Sequence, residues 1–214
     1  MHMVTRRIAC FCETTFEADM PDAVDLGSDE GVQAAILQGD FMAATCPACG
    51  KRLTPEYSCR VTMAGDIPGV DSGRDVLLVP EADRVACMRG KLPVAGPAPA
   101  RIAIGMPELA EKVLIFSSGL DDRVIEIMKY YLPTGSAAGP AGDSEVTLTY
   151  HGEEAGRMEF HIAGIAEGQI GVTRLSRDIY ARIAADLPTR LSEDPFSAFC
   201  DPPYVSLRKA EFTT

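Results

Sequence analysis

The sequence predicts an α+β fold in two parts: a β-rich N-terminal part with one short helix, then a helical hairpin packed with an antiparallel meander. Three observations carry this. Short alternating apolar runs bounded by turn residues fill the chain up to about Leu92. Two consecutive amphipathic patterns occupy 107–132, and three alternating runs joined by short turns lie between 146 and 173. Two stretches rich in Pro, Ala and Gly, Pro93–Ala100 and Pro133–Asp143, lack apolar periodicity and are expected to be exposed, mobile linkers. The first sets the expected domain boundary, 1–98 against 99–214.

In the N-terminal part, Phe16, Ala18 and Met20 alternate with polar residues and predict a strand. Ser28 is a candidate N-cap for a helix through Val32, Ala35 and Ile36, with Gly39 ending it. Phe41–Thr45 reads as a strand running into Cys46. Leu53–Met63 reads as another, with Pro55 confined to its start or an edge. Val76–Val79 and Val85–Met88 flank Pro80–Asp83 and predict a hairpin.

In the C-terminal part, Pro107 and Glu108 suit a first helical turn, and Leu109, Val113 and Phe116 follow at helical spacing before Gly119. Asp121 is the natural N-cap of the next helix, whose face is Val124, Ile125, Met128 and Leu132 and whose stop is Pro133. Val146, Leu148 and Tyr150, then Met158, Phe160 and Ile162, then Gln169–Thr173 make the meander, whose apolar face needs helices to cover it. Ser176 caps a last helix bearing Ile179, Ile183 and Leu187, ended by Pro188.

Composition narrows the function classes. The 214 residues carry 31 Asp+Glu against 20 Lys+Arg, a formal net charge of −11. A non-specific nucleic-acid or anionic-membrane binder needs a basic face, so this balance disfavours both. No apolar h-region follows Arg6 and Arg7, and no run of apolar residues is long enough to span a bilayer. The expected compartment is the cytoplasm, where thiols stay reduced. Seven cysteines, an odd number, cannot all pair within one chain.

Four of the seven form two tight pairs: Cys10-Phe11-Cys12, and Cys46-Pro47-Ala48-Cys49-Gly50. Zinc in a structural site takes four donors in a tetrahedron. Two close pairs supply them economically, because each turn presents two sulfurs on one side. Pro47 fixes φ inside the second turn, and Gly50 permits a positive φ just after it. The long insertion between the pairs costs little, since doubling a loop adds roughly 0.6 kcal/mol. A thioredoxin-like redox pair is the competing reading of Cys46 and Cys49, but that motif opens a helix, whereas Gly50 and Pro55 here read as turn and strand. Ordinary unpaired thiols are the other. Cys59, Cys87 and Cys200 are isolated and read as small core hydrophobes, with Cys59 the one alternative ligand.

The two cysteine motifs, the acidic stretch and short helix between them, and the run from Leu109-Ala-Glu-Lys112 to Gly119-Leu-Asp-Asp-Arg-Val-Ile-Glu126 resemble the CpXC-domain proteins of bacteria and archaea. That resemblance implies a zinc-ribbon-like N-terminal domain, extending to about residue 132, with structural zinc on Cys10, Cys12, Cys46 and Cys49. It brings no activity with it.

Other constellations point less far. His151 and His161 fall near the ends of one predicted hairpin with Glu153, Glu154 and Glu159 nearby, and read as solvated turn residues with a second metal site as the alternative. His2 belongs to a frayed terminus. Asp121 and Asp122 read as helix caps. No phosphate loop, dinucleotide fingerprint, nucleophile elbow or H-E-x-x-H occurs. The functional expectation is a zinc-binding recognition or regulatory module whose partner is a protein. Two alternatives stand beside it: a nucleic-acid-binding ribbon using Arg6, Arg7, Lys51 and Arg52, and an enzyme with a site between the domains.

Overall fold

A computed structural model describes residues 1–70, 73–92, 96–132 and 146–212. The fold is α+β, and the chain divides into two compact units, Met1–Ser117 and Ser118–Thr214.

The first unit is built on a five-stranded mixed sheet of order β1-β2-β5-β6-β7. Strands β1 (His2–Ala9) and β2 (Thr15–Asp25) form an antiparallel hairpin in which Ile8 faces Phe16. As the sequence predicts, Phe16, Ala18 and Met20 take the less exposed face of β2. The terminus is not frayed. His2 bonds Asp22 at 2.5 Å, and the Met1 ammonium reaches Asp29 at 2.9 Å. Helix α1 (Val32–Leu37) forms where expected, but Gly31 rather than Ser28 is its N-cap. The Ser28 N–H instead donates to the Asp25 carbonyl in the preceding turn. Gly39, at φ 74°, ends the helix, and the N–H groups of Asp40 and Phe41 turn back onto the Ala35 carbonyl.

The expected strand over Phe41–Thr45 shrinks to β3 (Ala44–Thr45), which pairs with β4 (Arg52–Leu53). Phe41 and Met42 are buried in the connection. The expected run Leu53–Met63 therefore splits in two: β4 serves the small hairpin, and β5 (Cys59–Thr62) joins the large sheet, parallel to β2. Strand β6 (Asp75–Val79) forms antiparallel to β5, but the hairpin expected after it does not. A 3-10 turn at Glu81–Asp83 leads instead into helix α2 (Arg84–Met88). The reason is tertiary. The Arg84 guanidinium is buried, donating to Glu81, to Glu108 at 2.8 Å and to the Ile104 carbonyl at 3.0 Å, and this arrangement outranks the β-propensity of Val85. The chain returns as β7 (Arg101–Ile104), parallel to β6 and wholly buried. Of the expected linker Pro93–Ala100, residues 96–100 are described; Pro99 is buried and the Pro97 carbonyl accepts from Arg60 at 2.8 Å. That part is anchored, not free. Helix α3 (Met106–Ser117) follows and packs on β6 and β7.

The second unit begins with α4 (Asp122–Tyr130), capped by the Asp121 carboxylate, which accepts from the Arg123 N–H. The meander is present in the expected order, β8 (Thr147–Glu154), β9 (Arg157–Ala166) and β10 (Gln169–Ser176). Met158, Phe160 and Tyr150 are buried on its inner face, and α4 packs against β8. Ser176 caps α5 (Arg177–Ala185), its hydroxyl oxygen accepting from the Asp178 N–H. Pro188 does not end α5 but sits in the first turn of α6 (Leu187–Arg190). Helix α7 (Phe196–Phe199) and a 3-10 turn at Leu207–Phe212 fill the tail. The expected linker Pro133–Asp143 lies outside the described residues. No helix among the described residues is long and apolar enough to cross a membrane.

Candidate metal centre

Each cysteine pair occupies the tip of an antiparallel hairpin. In the first, the Cys10 N–H donates to the Thr14 carbonyl and the Glu13 N–H to the Cys10 carbonyl, both at 2.9 Å. This is a three-residue loop closed by Glu13 in the left-handed region, at φ 66°. In the second, the Cys46 N–H donates to the Lys51 carbonyl and the Gly50 N–H to the Cys46 carbonyl, again at 2.9 Å. The loop is one residue longer and ends on Gly50 at φ 71°. Strand alternation turns Cys10 inward, and Cys46 is buried with it, while Cys12 and Cys49 are exposed.

The two tips meet. The four sulfurs lie within 4.8 Å of one another, the one group of His, Cys, Asp or Glu among the described residues that could hold a metal ion. Cys10 Sγ stands 3.7 Å from Cys49 Sγ, and Cys12 Sγ stands 3.7 Å from Cys46 Sγ, so the contacts run between the hairpins. A tetrahedron of sulfurs around zinc, with bonds of about 2.3 Å, has edges of about 3.8 Å. The donor set fits a thiophilic ion in size and chemistry.

The two exposed thiols of the cluster are shifted in opposite directions. Hydrogen bonds from the Thr14 side chain and backbone lower the Cys12 thiol to about 6. Cys49 goes the other way, to about 11: the Lys51 backbone N–H favours its thiolate, but the neighbouring Cys12 sulfur and desolvation outweigh it. Thr14 and Glu13 were not singled out from the sequence. The signal for them is the parallel with the second motif, where the residue after the second cysteine turns the chain.

The remaining candidates separate. Cys59 is buried in β5 and is not in the cluster; burial pushes its thiol up to about 12. Cys200 is also buried, directed at the Arg123 carbonyl. Cys87 lies on α2, only half-buried. His151 and His161 stack with ring centroids 3.8 Å apart, and His161 bonds Glu159 at 3.0 Å. They lie in β8 and β9 rather than in the turn expected, and His151 is exposed to solvent as expected. Of the basic candidates, Arg6 lies over the Tyr57 ring and Arg52 pairs with Asp40 at 2.6 Å, while Lys51 sits over the Phe11 ring at 4.4 Å.

Fold and site thus define an α+β protein whose first unit carries a four-thiol cluster between two hairpin tips. A family model described as "CpXC protein" matches residues 8–129, and the chain belongs to the CpXC family. It is 28% identical over 196 residues to an uncharacterised protein of Treponema pallidum (strain Nichols), covering 83% of this chain and 86% of that one. No solved structure matches it.

Proposed function

We propose that Cys10, Cys12, Cys46 and Cys49 hold one structural zinc ion, and that the unit they brace is a recognition or regulatory module with a protein partner. The observation that carries this is the pair of 3.7 Å sulfur contacts linking the two hairpins. They match the edge a four-thiolate zinc shell requires. Four thiolates fill that shell and leave no open position for a water, which argues against catalysis at the ion. With deprotonated ligands the site carries a net charge of about −2 and deepens an already acidic field. The reading places the chain in a reducing compartment such as the cytoplasm, where these thiols stay available.

A nucleic-acid role is the second reading, favoured by one observation: Lys51, Arg52 and Phe11 line a single slot. It requires affinity that falls steeply with salt. The test of the main reading is metal content by elemental analysis on the wild-type chain and on Cys46→Ser. One zinc per chain in the first and none in the second is expected. A folded wild-type chain purified without metal would overturn it.

A further inference from the structure

Beside the first hairpin tip lies an open slot of about 320 Å³ lined by Ile8, Ala9, Phe11, Lys51, Arg52, Leu53, Thr54 and Pro55. Three features of it point to a ligand. The first is Phe11, which is 84% exposed although it sits between two of the clustered cysteines. Both of its neighbours are tethered, so an apolar ring is held out into water at a fixed place. The second is an open strand edge. β1 ends the sheet order, so one of its sides has no strand partner. The Cys10 N–H bonds to β2 through Thr14, and pairing alternates along an antiparallel ladder, so Arg7 and Ala9 turn their backbone groups away from β2. The Arg7 carbonyl accepts from the Tyr57 hydroxyl at 3.3 Å, which leaves the Ala9 amide beside the slot. The third is charge. Among the described residues no carboxylate pairs with Lys51 or with the exposed Arg7, whereas Arg52 is already held by Asp40.

We propose that this slot binds an extended acidic peptide as an added strand on β1. Its backbone bonds the Ala9 amide, an apolar side chain covers Phe11, Ile8, Leu53 and Pro55, and its carboxylates meet Lys51 and Arg7. The acidic sign is set by Lys51 in the slot and by the exposed Arg7 on β1 next to it, neither of which has a carboxylate partner among the described residues. A nucleic-acid strand fits less well, because Lys51 already covers one face of the Phe11 ring on which a base would stack. The proposal rests on the recognition reading above, with Phe11 held between two of the clustered cysteines.

The test is fluorescence anisotropy on the full, metal-loaded chain. The probe is a labelled octapeptide alternating glutamate and valine, with the lysine–valine octapeptide and an oligothymidylate as comparators. Saturable binding of the acidic probe below about 1 mM is expected, with at least about tenfold weaker binding for Phe11→Ser and for Lys51→Glu and none of the loss for Ile170→Ser on β10. Metal analysis and a melting curve on each variant confirm that it is loaded and folded. Equal binding of the two peptides, tighter binding of the oligothymidylate, or full affinity in both slot variants would overturn the proposal. Failure of the two readings is distinguishable. A metal-loaded chain that ignores the acidic probe sinks the slot alone. A metal-free chain that binds it sinks the zinc reading and leaves the slot standing.

Discussion

The two hairpin tips do the same job with different backbones. Both bury their first cysteine, expose their second, and close with a residue in the left-handed region. The Cys46–Cys49 tip has Pro47 and Gly50, the residue types that this geometry favours. The Cys10–Cys12 tip is one residue shorter and places Glu13, not glycine, at φ 66°. A side chain in that region costs roughly 1–2 kcal/mol. The first tip is therefore the strained one, and it is also the one that shows an aromatic ring to solvent. The contrast teaches that the number of residues between two ligands is less restrictive than the direction in which the chain leaves the second one.

The comparison breaks first at the sulfurs. Replacing a buried ligand, Cys10→Ser or Cys46→Ser, should abolish metal retention through dialysis and melt both hairpin tips, since structural zinc contributes on the order of 10 kcal/mol to small domains that need it. Cys12→Ser and Cys49→Ser should leave weaker, partly retained metal, because an exposed position lets water complete the shell. Equal loss in all four variants would remove the distinction between inner and outer ligands.

Alkylation of the metal-free chain separates the two exposed thiols. Near pH 7 iodoacetamide should label Cys12 about tenfold or more faster than Cys49, because the first is largely thiolate and the second is not. The same shifts have opposite consequences for stability. Cys12 titrates below its ordinary 9.0, so its contribution is present above pH 9 and fades as pH falls toward 6. Cys49 titrates above 9.0, so its contribution is present below pH 9 and fades as pH rises toward 11. Peptide mass mapping after brief labelling gives the answer, and equal rates would contradict it.

The backbone contrast predicts smaller effects of opposite sign. Gly50→Ala should lower stability by about 0.5–1 kcal/mol, because its φ of 71° disfavours any side chain although the space beside it is open, and the smaller freedom of alanine in the unfolded chain offsets part of that cost. Glu13→Gly should raise it, by about 0.5 kcal/mol, once the extra freedom of glycine in the unfolded chain is subtracted. Thermal melts of the two metal-loaded variants check both. Matching signs would mean that Glu13 is not strained.

The site was legible because its signal is local: two short motifs, each carrying its own turn chemistry. The elements that escaped are those whose signal is not. Strand β1 hides its alternation because Arg6 takes an inward position between Val4 and Ile8, with its charge over Tyr57. Strand β7 is buried on both faces, so Arg101–Ile104 has no alternation to read and follows directly on a stretch that looks like a linker. Helix α2 depends on Arg84 meeting Glu108 twenty-four residues away, which no window over Val85–Met88 contains. The meander and its capped helix were readable because one face is wet and one dry.

The central claim is that one ion joins both tips through all four sulfurs. X-ray absorption at the zinc edge of the purified wild-type chain tests it most directly. A first shell of four sulfurs at about 2.3 Å, with no nitrogen or oxygen scatterer, is the predicted result. A shell with two sulfurs and lighter atoms would mean that the hairpins do not share an ion, and the account of this site would fail.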